Sequence, residues 1–192
     1  MTNPLADKAP NALGSAHGRF QVLHNEHLEY LLEAKRRCQH LLVGITAYDL
    51  NFGDSDNEDH RTLATNNPLT YYERQLLIRE ALRESGVALT DFTVVPFPIE
   101  HPLDLPNFIP VSATCYTTLR EPWNSEKITR IRQLGYNVEV VIEGAKAIEG
   151  VVLRRMIVEK DDRWKQLVPP STVRLVAEFG LEARLRTLLS QT

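Results

Sequence analysis

The sequence predicts a doubly wound α/β fold, a parallel β-sheet with helices on both faces and a short C-terminal helical segment. Three observations predict it. Apolar runs of strand length alternate with amphipathic stretches of helix length along most of the chain. The run "HLLVGIT" at 40–46 lacks polar alternation, as a strand buried on both faces requires. The helical stretches also carry start and stop residues, such as Thr70 with Glu73 as a capping box and Gly86 as a terminator.

The elements follow in order. The chain has 192 residues, enough for one domain with a substantial core. Residues 1–11 read as a flexible tail and 12–192 as a single domain. A short first strand is expected at 12–17, then a turn through Gly18 and a helix over 25–40. On that helix Leu28, Leu31, Leu32, Ala34 and Cys38 share one face, with Glu29, Glu33, Lys35 and Arg36 mostly elsewhere. Residues 40–46 form the second strand. The stretch 47–68 is polar, acidic and Asn-rich, too long for an ordinary connection, and reads as a functional loop or a mobile one. Its "DSDNEDH" (54–60) lacks the glycine and terminal glutamate of a calcium loop and reads as solvated. A helix follows from Thr70 to Gly86, then a strand at 92–97. The prolines of 98–110 rule out helix or central strand there. A strand at 111–118, a helix at 124–135 and a strand at 137–142 complete the alternation. From Gly150 onward two short helices are expected, the second opened by Pro169 and Pro170.

Charge and composition exclude several classes. The net charge of −3 offers no basic surplus for nucleic acid, and no basic amphipathic or long apolar run suggests a membrane. The N-terminus has no apolar signal-peptide core. Cys38 and Cys115 are isolated, without metal-ligand spacing, and read as free thiols of a reducing compartment, so a cytoplasmic location is expected.

The chemistry concentrates at 17–27. Three of the six histidines, His17, His24 and His27, fall there. His24 and His27 lie three apart where the first strand turns into its helix, at the carboxyl end of the strand, where open α/β sheets bind ligands. A helix N-terminus there adds N–H groups and a positive dipole end, suited to an anion, and Gly18 permits close backbone approach. Two histidines beside a phosphate can stabilise developing charge. The spacing alone equally fits a capping histidine and a surface one. Likewise Arg154 and Arg155, after Gly150, fit either a phosphate clamp or a solvated basic face beside Glu159, Asp161 and Asp162.

The stretch "GRFQVLHNEHLEYL" resembles the Gly-Arg-Phe-Gln-Pro-Phe-His-x-Gly-His-Leu signature of the nucleotidylyltransferase superfamily, which has a Rossmann-like fold. It is most similar to the archaeal-type nicotinamide-mononucleotide adenylyltransferases and their bacterial relatives. "NPLTYYERQLLIREAL", "VVPFPIEH" and "GVVLRRMIVEKDDRWKQLVPPSTVRLV" extend the resemblance along most of the chain. It implies AMP transfer from ATP to a phosphate-bearing mononucleotide such as nicotinamide or nicotinate mononucleotide, with pyrophosphate released and Mg²⁺ accompanying the ATP. By motif position, His24, His27 and Arg154 would be catalytic, contacting the ATP phosphates. Gly18, Arg19, Phe20, Gln21, Gly150 and Arg155 would bind nucleotide or phosphate, and Thr70, Arg74, Glu26 and Phe108 would play lesser parts. No protein side chain is implied as a metal ligand. A homo-oligomer is compatible with the family. The chain departs from the signature at Val22, Leu23, Glu26, Glu149 and Val151. Glu26 replaces a glycine and puts a carboxylate near the expected triphosphate, which requires Mg²⁺ or an arginine to offset it. Glu149 and Val151 replace two hydroxyl residues. Related readings keep the fold with CTP or another phosphorylated acceptor, or with nucleotide binding alone.

Overall fold

The computed structural model describes residues 11–48, 63–120 and 123–191. Five strands form one parallel sheet in the order β3-β2-β1-β4-β5. They are β1 (Asn11–Gly18), β2 (Cys38–Ile45), β3 (Phe92–Pro96), β4 (Thr114–Leu119) and β5 (Asn137–Glu143). The chain winds outward through β1, β2 and β3, then returns to lay β4 against the other side of β1. The switch point therefore lies between β1 and β4, the place where such sheets open a crevice. The fold is Rossmann-like, as expected.

Alternation along the strands divides the core in two. One face buries Ala16, Leu41, Val43, Ile45 and Tyr116 beneath α1 (Asn25–Arg36), α2 (Tyr71–Glu84) and the C-terminal helices. The other buries Leu42, Cys115 and Val138 beneath α3 (Trp123–Gln133) and the 3₁₀ turn Pro102–Asn107. Both cysteines are buried free thiols, raised to about 11 by burial.

Several boundaries differ from the sequence expectation. Asn11 belongs to β1 rather than to the tail, because its backbone N–H reaches the Arg37 carbonyl. The first helix ends at Arg36, not at residue 40, because Cys38, Gln39 and His40 pair with β1. The fourth strand begins at Thr114, after a tight turn of residues 110–113. The C-terminal segment holds three α-helices rather than two: α4 (Gly150–Glu159), α5 (Pro170–Glu178) and α6 (Leu181–Leu189). Gly180, at φ 60°, breaks α5 and lets α6 start in a new direction that buries Leu181 and Leu185. Of the stretch 47–68, residues 64–66 form a 3₁₀ turn; 49–62, with the acidic cluster, lie outside the described residues.

Thr70 caps α2 as predicted: its Oγ accepts from the Glu73 N–H at 3.2 Å, and Glu73 accepts from the Thr70 N–H at 2.8 Å. Arg184 on α6 grips the same Glu73 through both terminal nitrogens at 2.7 Å, fastening the last helix to the second. Arg74, one residue on, is buried and donates to the carbonyls of Arg19 (3.1 Å), Thr46 (2.7 Å), Ala47 (2.9 Å) and Thr70 (3.3 Å). It thus ties the ends of β1 and β2 to the start of α2. Replacing it leaves buried carbonyls unpaired, at ~1–3 kcal/mol each. Arg74→Met is expected to lose about 3 kcal/mol or more in urea-melt stability, with loss of the native near-ultraviolet signal at 37 °C.

Candidate active site

The turn from β1 to α1 forms the centre of the site. Gly18 closes β1, and a Cβ there would sit 3.0 Å from the Phe20 ring. The glycine therefore makes room for Phe20, which adopts φ 53° and folds its buried ring under the turn. Gln21 is also buried. Its side-chain amide exchanges two 2.9 Å hydrogen bonds with the Leu69 backbone, which locks the turn onto the segment leading to α2. Phe20 and Gln21 thus shape the turn from beneath, while the Arg19 side chain is exposed at its surface.

His24 is the N-cap of α1. Its Nδ1 accepts from the His27 N–H, and His27 Nδ1 accepts from the His24 N–H, both at 3.4 Å. The rings stack with centroids 3.5 Å apart, and His27 meets Phe20 edge-on at 5.2 Å. The two histidines form a reciprocal capping box, the role that Ser/Thr and Glu usually share. With Nδ1 an acceptor, each neutral ring carries its proton on Nε2. Burial lowers His24 to about 4, with the charges of Lys146 and Arg120 acting in the same sense and Glu26 opposing. His27 is held well below the ordinary histidine range by burial, then by His24 and Lys146. Both are therefore neutral N–H donors at pH 7.

The helix N-terminus is less open than its sequence position suggests. The Asn25 N–H donates to the Leu167 carbonyl at 2.9 Å, and the Asn25 side chain reaches the Gln166 carbonyl at 3.0 Å. The C-terminal segment behind Trp164 thus holds the first turn of α1.

Glu26, the departure from the family glycine, does not face the site as a bare charge. It pairs with Arg120, just beyond β4, and accepts from the backbone N–H groups of Ala147 (3.3 Å) and Ile148 (2.8 Å). Burial alone would raise its pKa; these donors outweigh it and hold the carboxyl below its ordinary range. Glu26 is a clasp between α1 and the loop that precedes α4.

Arg154 reaches the centre from α4, donating to the Gln21 carbonyl and to Asn66 Oδ1, the latter at 2.6 Å. A Cβ on Gly150 would lie 3.1 Å from that same carbonyl and 3.3 Å from the Arg154 guanidinium. Gly150 thus lets α4 press against the turn. Burial and then the nearby Arg19 charge lower Arg154 to about 10; burial and Arg19 likewise lower Arg74 to about 10, with Tyr71 opposing. Both stay cationic at neutral pH. Arg19, Arg74, Arg154 and Lys146 make a positive focus around the paired histidines, with the Arg120 charge balanced by Glu26.

The structure therefore brings together Gly18, Arg19, Phe20, Gln21, His24, Glu26, His27, Gly150 and Arg154. Arg155 lies on the exposed face of α4. Thr70 and Arg74 are engaged in capping and in binding carbonyls, so their place here is structural. Phe108 stands apart, packed on the second core with its ring 6.3 Å from that of Tyr48. Sequence reasoning missed Arg120, Lys146 and Asn66. Arg120 and Lys146 were findable: each follows a strand at its carboxyl end, where the fold assembles ligands.

A helix-capped histidine pair in a cationic crevice at the switch point of a parallel sheet defines a nucleotide-handling α/β enzyme. The chain belongs to the cytidylyltransferase-like family, whose model matches residues 15–168. It is 39% identical over 175 residues to a phosphonoformate cytidylyltransferase from Streptomyces viridochromogenes, covering 90% of this chain and 95% of that one. A nicotinamide-nucleotide adenylyltransferase from Pyrobaculum neutrophilum is 27% identical over 175 residues, covering 88% and 89%. Among solved structures, the chain superposes on a bifunctional NMN adenylyltransferase/ADP ribose pyrophosphatase from Francisella tularensis with TM-score 0.60 at 15% identity, over 95% of this chain and 56% of that longer one. That likeness concerns the fold. The chain is a nucleotidylyltransferase.

Two measurements test the site. The unfolded state takes up protons near pH 6.5 that folded His17, His24 and His27 refuse, so stability is full above that value and falls as the pH drops toward 4. Melting temperature should decline from pH 6.5 to 5, before carboxylates titrate, and His24→Asn, which keeps a cap but no titration, should flatten that decline. Glu26→Gly should leave the fold intact but release the 144–149 loop, seen as faster amide exchange at Ala147 and Ile148 and a loss of about 1–2 kcal/mol.

Proposed function

We propose that this enzyme transfers a cytidylyl group from CTP to a small phosphonate acceptor of the phosphonoformate class. A phosphonate oxygen attacks the α-phosphorus of CTP, the bond from that phosphorus to the bridging oxygen breaks, and pyrophosphate leaves. The chemistry needs no protein nucleophile; positioning and charge stabilisation supply it. The observation that carries the reading is the pair of stacked, neutral histidines held as N–H donors inside a focus of arginine and lysine charge. Such donors strengthen their bonds as negative charge grows on the phosphates. The choice of CTP and a phosphonate rests on the 39% relative over nearly the whole of both chains.

In this reading His24 and His27 contact the phosphates, and Arg154 exchanges its bonds to Gln21 and Asn66 for the β- and γ-phosphates. Arg19 and Lys146 draw the triphosphate in. Among the described residues no three His, Cys, Asp or Glu side chains converge on an ion. The residues present fit Mg²⁺ carried on the triphosphate itself: the groups around the turn are N–H donors and cations, suited to phosphate oxygens. The metal would supply screening of the phosphate charge.

The second reading, AMP transfer from ATP to a pyridine mononucleotide, draws on the Gly-Arg-Phe-Gln turn and the adenylyltransferase relatives at 27% identity and below. Pyrophosphate release from each of the four nucleoside triphosphates, with phosphonoformate and nicotinamide mononucleotide as acceptors, separates the two. The expected outcome is release with CTP and phosphonoformate, reduced about 10²–10³-fold by His27→Ala. Release confined to ATP and the mononucleotide would establish the second reading. Saturable nucleotide binding without release for any pair would overturn both.

A further inference from the structure

One buried polar group at the carboxyl end of β1 has no part in the site above. His17, the last residue but one of β1, is buried with its ring stacked on Phe97 at 4.0 Å and 13°. Neither of its ring nitrogens has a hydrogen-bond partner within the described chain. Thr117 on β4 is wholly buried, and its hydroxyl is likewise unpartnered. The strand register relates the two. Strands β1 and β4 pair with Ser15 beside Cys115 and Ala16 beside Tyr116, so the next step places His17 beside Thr117 on the face covered by α3. Lys127, buried on α3, is close enough that its charge adds to burial in depressing the His17 pKa.

The surroundings hold His17 in place without satisfying it. Its register partner on β2 is Gly44, where a Cβ would collide with Phe97 at 2.5 Å. Glycine there admits the Phe97 ring, and the Phe97 ring supports the imidazole. The His17 backbone N–H donates to the Tyr30 hydroxyl at 3.1 Å, and that hydroxyl donates to the Tyr116 carbonyl at 2.7 Å. An imidazole and a hydroxyl buried without partners each lower stability, by about 1–3 kcal/mol. Buried groups left without a partner are rare in native chains, and each calls for a reason such as strain, an ordered water or ion, or a functional role.

We propose that His17 and Thr117, in the field of Lys127, form the subsite for a carboxylate on the acceptor, and so select a carboxylated phosphonate over a plain one. A planar carboxylate accepts one bond from the imidazole and one from the hydroxyl, and the ammonium balances its charge. The position suits that task. His17 adjoins Gly18, and the six residues from Arg19 to His24 lead from it to the paired histidines. One end of a small acceptor on His17 would leave its phosphonate facing the triphosphate. The subsite rests on the proposed phosphonate acceptor.

The test compares phosphonoformate with methylphosphonate, which lacks the carboxylate, in wild type, His17→Phe and Thr117→Val. Wild type should favour phosphonoformate at least 10-fold in kcat/KM. Both variants should lose most of that preference while KM for CTP stays within about twofold. Both should melt at or above the wild-type temperature, because each removes an unpaired buried polar group, an outcome that a purely structural role would reverse. A folded variant pair that keeps the full preference would overturn the subsite. A binding readout separates this from the acceptor reading. Phosphonoformate should shift the His17 imidazole ¹H–¹⁵N signals, identified by their loss in His17→Phe, whether or not turnover follows. No shift at saturating phosphonoformate would refute the subsite, whereas a shift without turnover would refute the acceptor reading alone.

Discussion

A single guanidinium, that of Arg74, underlies the rest of the structure. Parallel strands end with carbonyls that point past the last ladder bond. Where β1 and β2 stop side by side, those carbonyls are buried and close together. Arg74 meets three of them, those of Arg19, Thr46 and Ala47, together with the Thr70 carbonyl of its own helix start, with one planar fork of donors. No neutral side chain carries enough N–H groups to do the same. Because Arg74 stays charged, it also leaves a positive potential beneath the turn that follows β1. The constraint that closes the sheet edge thus begins the electrostatics of the site.

The same economy recurs around the histidines. A helix start needs acceptors for its first N–H groups. Here those acceptors are the Nδ1 atoms of His24 and His27, together with the Leu167 carbonyl from the C-terminal segment. Capping fixes the tautomer and burial keeps the rings neutral, so each ring carries its one N–H on Nε2. Capping and the phosphate-binding role proposed for these rings are therefore compatible in one arrangement rather than alternatives. Both capping bonds are long, at 3.4 Å, and the stacked rings add a second contact between the two residues.

Glu26 changes meaning once its partners are known. Beside a triphosphate, an isolated carboxylate would repel the substrate. Paired with Arg120 and two backbone N–H groups, it instead organises the loop before α4, and so helps set where Gly150 and Arg154 meet the turn. The N–H groups that it occupies are not offered to phosphate. In the proposed function that task falls to the cationic side chains Arg19, Lys146 and Arg154.

The sequence by itself determined the alternation of strand and helix, the capping box at Thr70 and Glu73, and the strand-to-helix setting of His24 and His27. These depend on period and on neighbours a few residues away. It also marked Gly150 and Arg154 through their resemblance to a family motif. Tertiary structure alone decided which faces those residues show. Arg74, read as a lesser ligand, is engaged with carbonyls just beyond β1 and β2, far off in the chain, whereas Thr70 is engaged locally as the cap of α2. The end of α1 moved because strand pairing of Cys38–His40 outweighed helical periodicity. Arg120 reached Glu26 across 94 positions, and only the register of two strands that are not neighbours in sequence relates His17 to Thr117. Charge pairing and unpaired burial are properties of distance in space, and one-dimensional spacing does not encode them.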